Sequence, residues 1–279
     1  MPLAWVATLP FFAYAFAFLF FPAGEVMVGA FKNTHGAATF ANVRTLFHQP
    51  YVHEYWITIK VSLITAGAGG ALGLLIAYAA IREGTPRFVR TALTTFSGVA
   101  ANFAGIPLAF AFVATLGVIG IVTSFLRDQL GWDPYAHGFT LFGETGVEIT
   151  YLYFQIPLMI LVIAPAIDGL RREWREAASN LGASSLQFWR YVGLPILLPS
   201  ILGAFILLFG NSFSAYATAY GLTSGGVPLV PIVIGAYYTG NVLSNPHIAQ
   251  ALAFGMFVVL AVMMLLYVPL QRRSARWMR

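Results

Sequence analysis

Long apolar runs separated by short polar loops set the pattern of this chain. The runs fall at about residues 3–30, 55–81, 88–122, 149–170, 200–222 and 248–270. Each meets the roughly 20 residues that a helix needs to cross the ~30 Å hydrocarbon layer of a bilayer. Only helices and closed barrels satisfy every backbone group in lipid, and these runs have helix length. The pattern therefore predicts an all-α membrane protein with about six transmembrane helices. It divides into residues 1–54, a first transmembrane helix and outer loop, residues 55–270, a core of five transmembrane helices, and residues 271–279, a basic tail.

Details within the runs refine this. The first is dense in Phe (Phe11, Phe12, Phe16, Phe18, Phe20, Phe21), which suits lipid contact, and no Lys or Arg precedes Lys32. A retained helix is expected there, because a signal peptide carries a basic head. The second run holds GAGGALG, with Gly69 and Gly73 at a spacing that lets another helix approach closely. No Gly-Lys-Ser/Thr follows it and no strand precedes it, so it is not a phosphate loop. The third is interrupted by Asn102 and Pro107, which either line a cavity or mark a bonded Asn and a kink.

Composition agrees with the pattern. The chain is 59% hydrophobic and 9% charged, where a soluble domain carries about a quarter charged residues. The net charge of +5 forms no basic cluster interleaved with aromatics, so no nucleic-acid partner is expected. The charge tracks topology instead. With six spans, Arg82, Arg87, Arg90, Arg171, Arg172, Arg175, Arg190, Arg272, Arg273, Arg276 and Arg279 share one side; Lys32, Arg44, Lys60 and Arg127 lie on the other. Eleven against four places both termini in the cytoplasm. Zero Cys excludes disulfides, thiolate metal sites and Cys nucleophiles. The five histidines (His35, His48, His53, His137, His247) fall in predicted outer loops without a helical ligand spacing, so no metal site is expected. GNSFSA at Gly210 lacks the closing Gly of a nucleophile elbow, and no GxxxxGK[ST] occurs. The chain is expected to have no catalytic residues, to bind no cofactor and not to hydrolyse ATP.

The longest polar interruption in the second half is RREWREAASNLGASSLQFWRYVGLPILLP, residues 171–199. Glu173 to Ala178 read as one short helix, Gly182 as a sharp turn, and Ser184 and Ser185 as caps of a second helix. Pro195 and Pro199 are expected to punctuate the return to the membrane. Two short helices about a Gly elbow form a protruding knob that suits docking into another protein.

This stretch resembles the cytoplasmic coupling loop of ABC-importer permeases: EAA, three residues, Gly, nine residues, an aliphatic, one residue, Leu-Pro. The chain supplies Glu176, Ala177, Ala178, Gly182, Val192, Leu194 and Pro195; Val192 stands where Ile is commoner. The resemblance spans roughly residues 55–270 and implies a MetI-like permease architecture in the bacterial cytoplasmic (inner) membrane. It implies two cytosolic ATP-binding subunits that carry ATP and Mg, a second permease subunit, identical or different, and an extracytoplasmic substrate-binding protein. Arg172, Glu176, Ala177, Ala178, Gly182, Ala183 and Pro195 are the expected ATPase-coupling residues. Glu176 is expected to contact the ATPase or Arg172, one turn earlier on the same face.

The chain looks nearest the spermidine/putrescine, iron, sulfate and 2-aminoethylphosphonate group, on its extra first span and the stretches YVHEYWITIKVSLITA and SAYATAYGLTSGG. A polyamine or aminophosphonate is the expected solute, with iron, sulfate or another small solute as the alternative. For the pathway, Asn211, Ser214 and Thr218 would share one face of the fifth span, beside Tyr216 and Tyr220. Asn102, Tyr151 and Gln155 join them as candidates. The opposing reading is that these groups bond their own helices and only pack. An ion-gradient-driven carrier would show an internal repeat or buried coupling carboxylates, and the sequence shows neither convincingly.

Overall fold

The computed structural model describes residues 3–81, 85–240 and 245–275. Arg82, Arg276 and Arg279, counted above for orientation, lie outside the described residues, as do the side chains of Arg272 and Arg273. The helices are α1 (Thr8–Gly29), α2 (Tyr51–Ile81), α3 (Arg87–Asn102), α4 (Ile106–Leu116) and α5 (Ile121–Leu130). They continue with α6 (Glu144–Asp168), α7 (Arg172–Asn180), α8 (Ser185–Phe213), α9 (Ala217–Thr223), α10 (Val230–Thr239) and α11 (Pro246–Ala275). Six described segments are long and apolar enough to cross a membrane: α1, α2, Ile106–Leu130, α6, α8 and Pro246–Pro269.

Two expected spans are corrected. The run at 88–122 is not one helix. It breaks after Asn102, where Gly105 adopts φ +78°, a conformation cheap only for glycine, and Pro107 opens α4 rather than kinking a longer helix. A second turn at Gly117 to Gly120 separates α4 from α5. The run at 200–222 begins earlier and ends at Phe213. Pro195 and Pro199 do not interrupt it, because a π-helical turn at Trp189–Gly193 runs straight into Leu194–Phe213. That wider turn leaves room for the Pro195 ring, which a regular helix would press against the preceding carbonyl.

The chain forms two compact units. One comprises Met1–Trp56 and Pro228–Leu260. Its core gathers Ala30, Leu46, Tyr51, Val230, Ala251 and Leu252, with Phe31 edge-on to Phe254 at 5.0 Å. Two of its polar contacts are Tyr51 and Tyr237, which share a hydroxyl–hydroxyl bond of 2.5 Å, and Asn42, whose Nδ2 donates to the Lys32 carbonyl at 2.7 Å. The hydrophobic window of α1 has no buried residue, and its Phe side chains all face outward.

The other unit comprises Ile57–Val227 and Ala261–Arg279. It is organised around α6, whose span window is 56% buried, against 33% or less for every other span. Helices α3 and α8 pack along it. So does α2, through the glycines singled out in the sequence. A Cβ on Gly69 would lie 2.6 Å from Gln155 Cβ, and one on Gly73 2.5 Å from Met159 Cβ. Close approach of two backbones, with its gain in dispersion contact, is what these glycines provide.

Candidate functional site

The knob between α6 and α8 is built by local sequence at every step. Helix α7 spans nine residues and presents Arg172 Nε to Glu176 Oε1 at 2.8 Å, the same-face pair expected from their spacing. The pair is exposed, so it steers geometry more than it stabilises. Helix α7 then ends in a double bond pattern: Gly182 N–H donates to the Ser179 carbonyl and Ala183 N–H to the Ala178 carbonyl, both at 2.9 Å. This is a Schellman motif, which places its first residue beyond the cap in the left-handed region. Gly182 sits there at φ +75°.

One residue later the next helix starts on a capping box. The Ser184 hydroxyl accepts from Gln187 N–H at 3.3 Å, and Gln187 Oε1 accepts from Ser184 N–H at 2.7 Å. Two orphan donors are thus satisfied reciprocally. Arg175 lies over the Phe188 ring at 5.5 Å and joins the two arms of the elbow. Phe188 is buried, and Trp189 packs edge-on to Tyr78 at the base.

Two residues that sequence reasoning passed over stand out here. Leu181 is 88% exposed and Leu186 79% exposed, on either side of the elbow. Ala177 is exposed and Ala178 and Ala183 half-buried, so the tip is small and apolar with a charged flank. Adjoining exposed leucines on an otherwise polar pair of helices suit a surface covered by a partner. The sequence shows each Leu interrupting a polar run, but not that it is exposed.

The pathway candidates come together only in part. The face expected for Asn211, Ser214 and Thr218 does not exist, because α8 ends at Phe213 and Thr218 belongs to α9. Asn211 is exposed, and Ser214 bonds the Gly210 carbonyl of its own helix at 2.8 Å. Asn102, also exposed, bonds the Gly98 carbonyl of α3 at 2.8 Å. Thr218 is buried, and its hydroxyl accepts from Gly105 N–H at 2.7 Å, so it ties α9 to the break between α3 and α4.

Tyr151 and Gln155 are fully buried on α6. The Tyr151 hydroxyl donates to the Ala215 carbonyl and Gln155 Nε2 to the Leu208 carbonyl, each at 2.8 Å. Tyr151 therefore satisfies a carbonyl freed where the chain turns out of α8. Gln155 Oε1 is buried with no partner among the described residues. Tyr216 and Tyr220 stack at 5.3 Å between ring centroids and keep over a third of their surface open. The two chain breaks, at 103–105 and 214–216, are thus bound into the unit by Thr218 and Tyr151 and bordered by an exposed aromatic pair. Irregular backbone inside a membrane protein is tolerated where it is buried or lines a cavity. Asp168, at the end of α6, pairs with Arg90, in line with a structural role.

Comparison with known proteins places this architecture. Residues 69–279 match the family described as binding-protein-dependent transport system inner membrane component. A protein of Nephroselmis olivacea named "Probable sulfate transport system permease protein" is 26% identical over 232 residues, 82% of this chain and 75% of that one. A spermidine/putrescine transport system permease protein homolog of Mycoplasma pneumoniae is 28% identical over 55% of this chain and 50% of its own. Among solved structures, a bacterial ABC transporter that imports the acidic polysaccharide alginate shares the fold, with TM-score 0.76 and 20% identity over 97% of this chain and 95% of that one. The inward-facing methionine ABC transporter also matches, with TM-score 0.57 and 16% identity over 80% of this chain and 95% of that one. With three quarters of its length inside the family match and six helices that can span a bilayer, the chain belongs to the binding-protein-dependent transport inner-membrane family, as a permease subunit of an ABC importer.

Proposed function

We propose that this permease is driven through residues 171–199 by two cytosolic ATPase subunits, which carry ATP and Mg, while the chain itself contributes no catalytic group. The observation that carries the reading is the continuity of the knob with α8. The capping box at Ser184 opens a helix that runs without interruption to Phe213. A displacement applied at Leu181 or Leu186 is transmitted along a rigid rod, not through a loop. Glu176 and Arg172 supply polar contacts at the flank, Ala177, Ala178 and Ala183 allow close seating, and Gly182 sets the angle between the arms. Pro195, inside the rod, stiffens it just beyond the wider turn.

A second permease, identical or different, and an extracytoplasmic binding protein complete the importer, in keeping with the family description and with a related alginate transporter solved together with its periplasmic protein. The groups about the two breaks are uncharged: Asn102, Tyr151, Gln155, Asn211, Ser214, Tyr216 and Thr218. A carboxylate to hold a polyamine is missing from that set, and relatives named for sulfate transport cover most of the chain. Together these support a small oxyanion, sulfate or an aminophosphonate, over the polyamine also expected from the sequence.

The test uses the absence of cysteine. A single Ala183→Cys in the assembled importer is expected to crosslink to the ATPase subunit with a yield that changes on ATP addition. Free labelling of the introduced thiol in the presence of the ATPase, without crosslink, overturns the coupling reading. Uptake of labelled sulfate, 2-aminoethylphosphonate and spermidine by the same importer in proteoliposomes then decides the solute, and spermidine alone would reverse the assignment.

A further inference from the structure

At the base of the knob lies a cavity of about 370 Å³ rich in arginine. Its described charged lining is Arg87, Arg90, Arg171, Arg172 and Arg175, with Asp168 as the one carboxylate, and Thr85 adds a hydroxyl. Asp168 is taken by Arg90, and Arg172 pairs with Glu176. No described carboxylate pairs with Arg87, Arg171 or Arg175; the latter two rest on the rings of Trp174 and Phe188 instead.

The placement of these arginines opposes the local backbone field. Arg87 and Arg172 are the first residues of α3 and α7, and neither helix start has a side-chain cap. A helix N-terminus already carries about half a positive charge, so Arg there is unfavourable and an anion favourable. Asp168, a carboxylate, closes the last turn of α6, where the field prefers a cation. Glu173 in the first turn of α7 relieves that helix in part but does not line the cavity. The remaining excess sits in a concave space walled on its other side by Tyr78, Ile167 and Trp189. Guanidinium groups match phosphate oxygens in paired hydrogen bonds, and an apolar wall beside them strengthens each one.

We propose that this cavity is a binding site for a tetrahedral oxyanion, the phosphate of an anionic lipid headgroup or a free phosphate, which bridges the start of α7 to the start of α3. Its location on the cytoplasmic side rests on the orientation given above; the binding does not. A bound oxyanion would hold the knob against α3 and so set the stiffness of its root. Basic groups at the cytoplasmic membrane surface meet anionic headgroups at high local concentration, which makes the lipid a ready source.

The experiment uses the complete importer with its partner subunits, purified in a neutral detergent. Thermal unfolding is followed against inorganic phosphate at constant ionic strength with chloride as the balance, and retained phosphatidylglycerol is counted by native mass spectrometry after mixing with an equal amount of phosphatidylcholine. Wild type is expected to gain midpoint with one of the two anions, and Arg87→Gln to weaken that apparent affinity about tenfold. Arg87→Lys, which keeps the charge, is expected to fall between them, and this separates ligand loss from a folding defect. Retention of phosphatidylglycerol without a phosphate response assigns the headgroup; a phosphate response alone assigns the free ion. No response to either, or equal response in wild type and Arg87→Gln, overturns the site. The readout does not depend on ATPase docking, so it fails or succeeds apart from the crosslink at Ala183.

Discussion

At Gly182 the constraint is the backbone alone. Its φ is +75°, and a Cβ placed there would meet nothing within 4 Å. At Gly193 the reverse holds: φ −64° and ψ −53° are open to any residue, and a Cβ would come within 2.7 Å of the Trp189 ring. The first glycine shapes the elbow and the second lets Trp189 lie along its own helix and reach Tyr78. Gly182→Ala is therefore expected to cost the elbow roughly 1 kcal/mol through the left-handed conformation, with no steric clash. Because the two carbonyls capped by the Schellman bonds remain capped at that cost, the subunit should assemble normally. Reduced solute uptake per ATP hydrolysed, measured in proteoliposomes, is the expected outcome; unchanged coupling would show that the elbow tolerates other angles.

Among elements, close packing of a helix against α2 was legible in the residues GAGGALG, because four-residue glycine spacing on an apolar helix has one common physical use, but that the partner is α6 was not. The glycines of that stretch are not equivalent, and the sequence could not rank them. Gly73→Val would drive its side chain into Met159 and the Ile156 carbonyl and is expected to abolish recovery of folded subunit from the membrane. Gly67→Ala, where no atom lies within 4 Å, should leave recovery and thermal midpoint unchanged. Equal recovery of both variants would mean that close packing does not fix Gly73, since neither change lowers helix propensity. The same limit explains the two misplaced spans. Hydropathy reports that a segment is apolar, but the break at Gly105 depends on a positive φ and on a hydrogen bond to Thr218, more than a hundred residues away. The shared face expected of Asn211, Ser214 and Thr218 failed for the same reason, since helical periodicity was carried across a break that tertiary bonds create. The knob was far more legible, because its Gly turn and its caps are fixed by neighbours within five residues. Its exposed leucines were visible in the sequence yet silent, since exposure is a property of the fold.

For the whole molecule, orientation is the link between knob and function. Among the described residues Arg87, Arg90, Arg171, Arg172, Arg175 and Arg190 cluster at the α2–α3 and α6–α8 connections, against Lys32, Arg44, Lys60 and Arg127 on the side assigned to the other connections, six against four. Loops of this length follow the positive-inside rule, in which basic residues are retained on the cytoplasmic side during insertion. On that rule we propose that the knob and its arginine cavity face the cytosol and that the 3₁₀ turn at Tyr135–His137 faces out. Single cysteines report this directly, since the chain has none of its own. Ala136→Cys, exposed on that turn, is expected to react with a membrane-impermeant maleimide in intact cells or spheroplasts. Ser179→Cys, exposed near the elbow, should react only after the membrane is permeabilised. The opposite labelling pattern would put the elbow beyond reach of any cytosolic ATPase and remove the coupling role of Glu176 and Gly182 in one step, while the helical packing about α6 would stand as described.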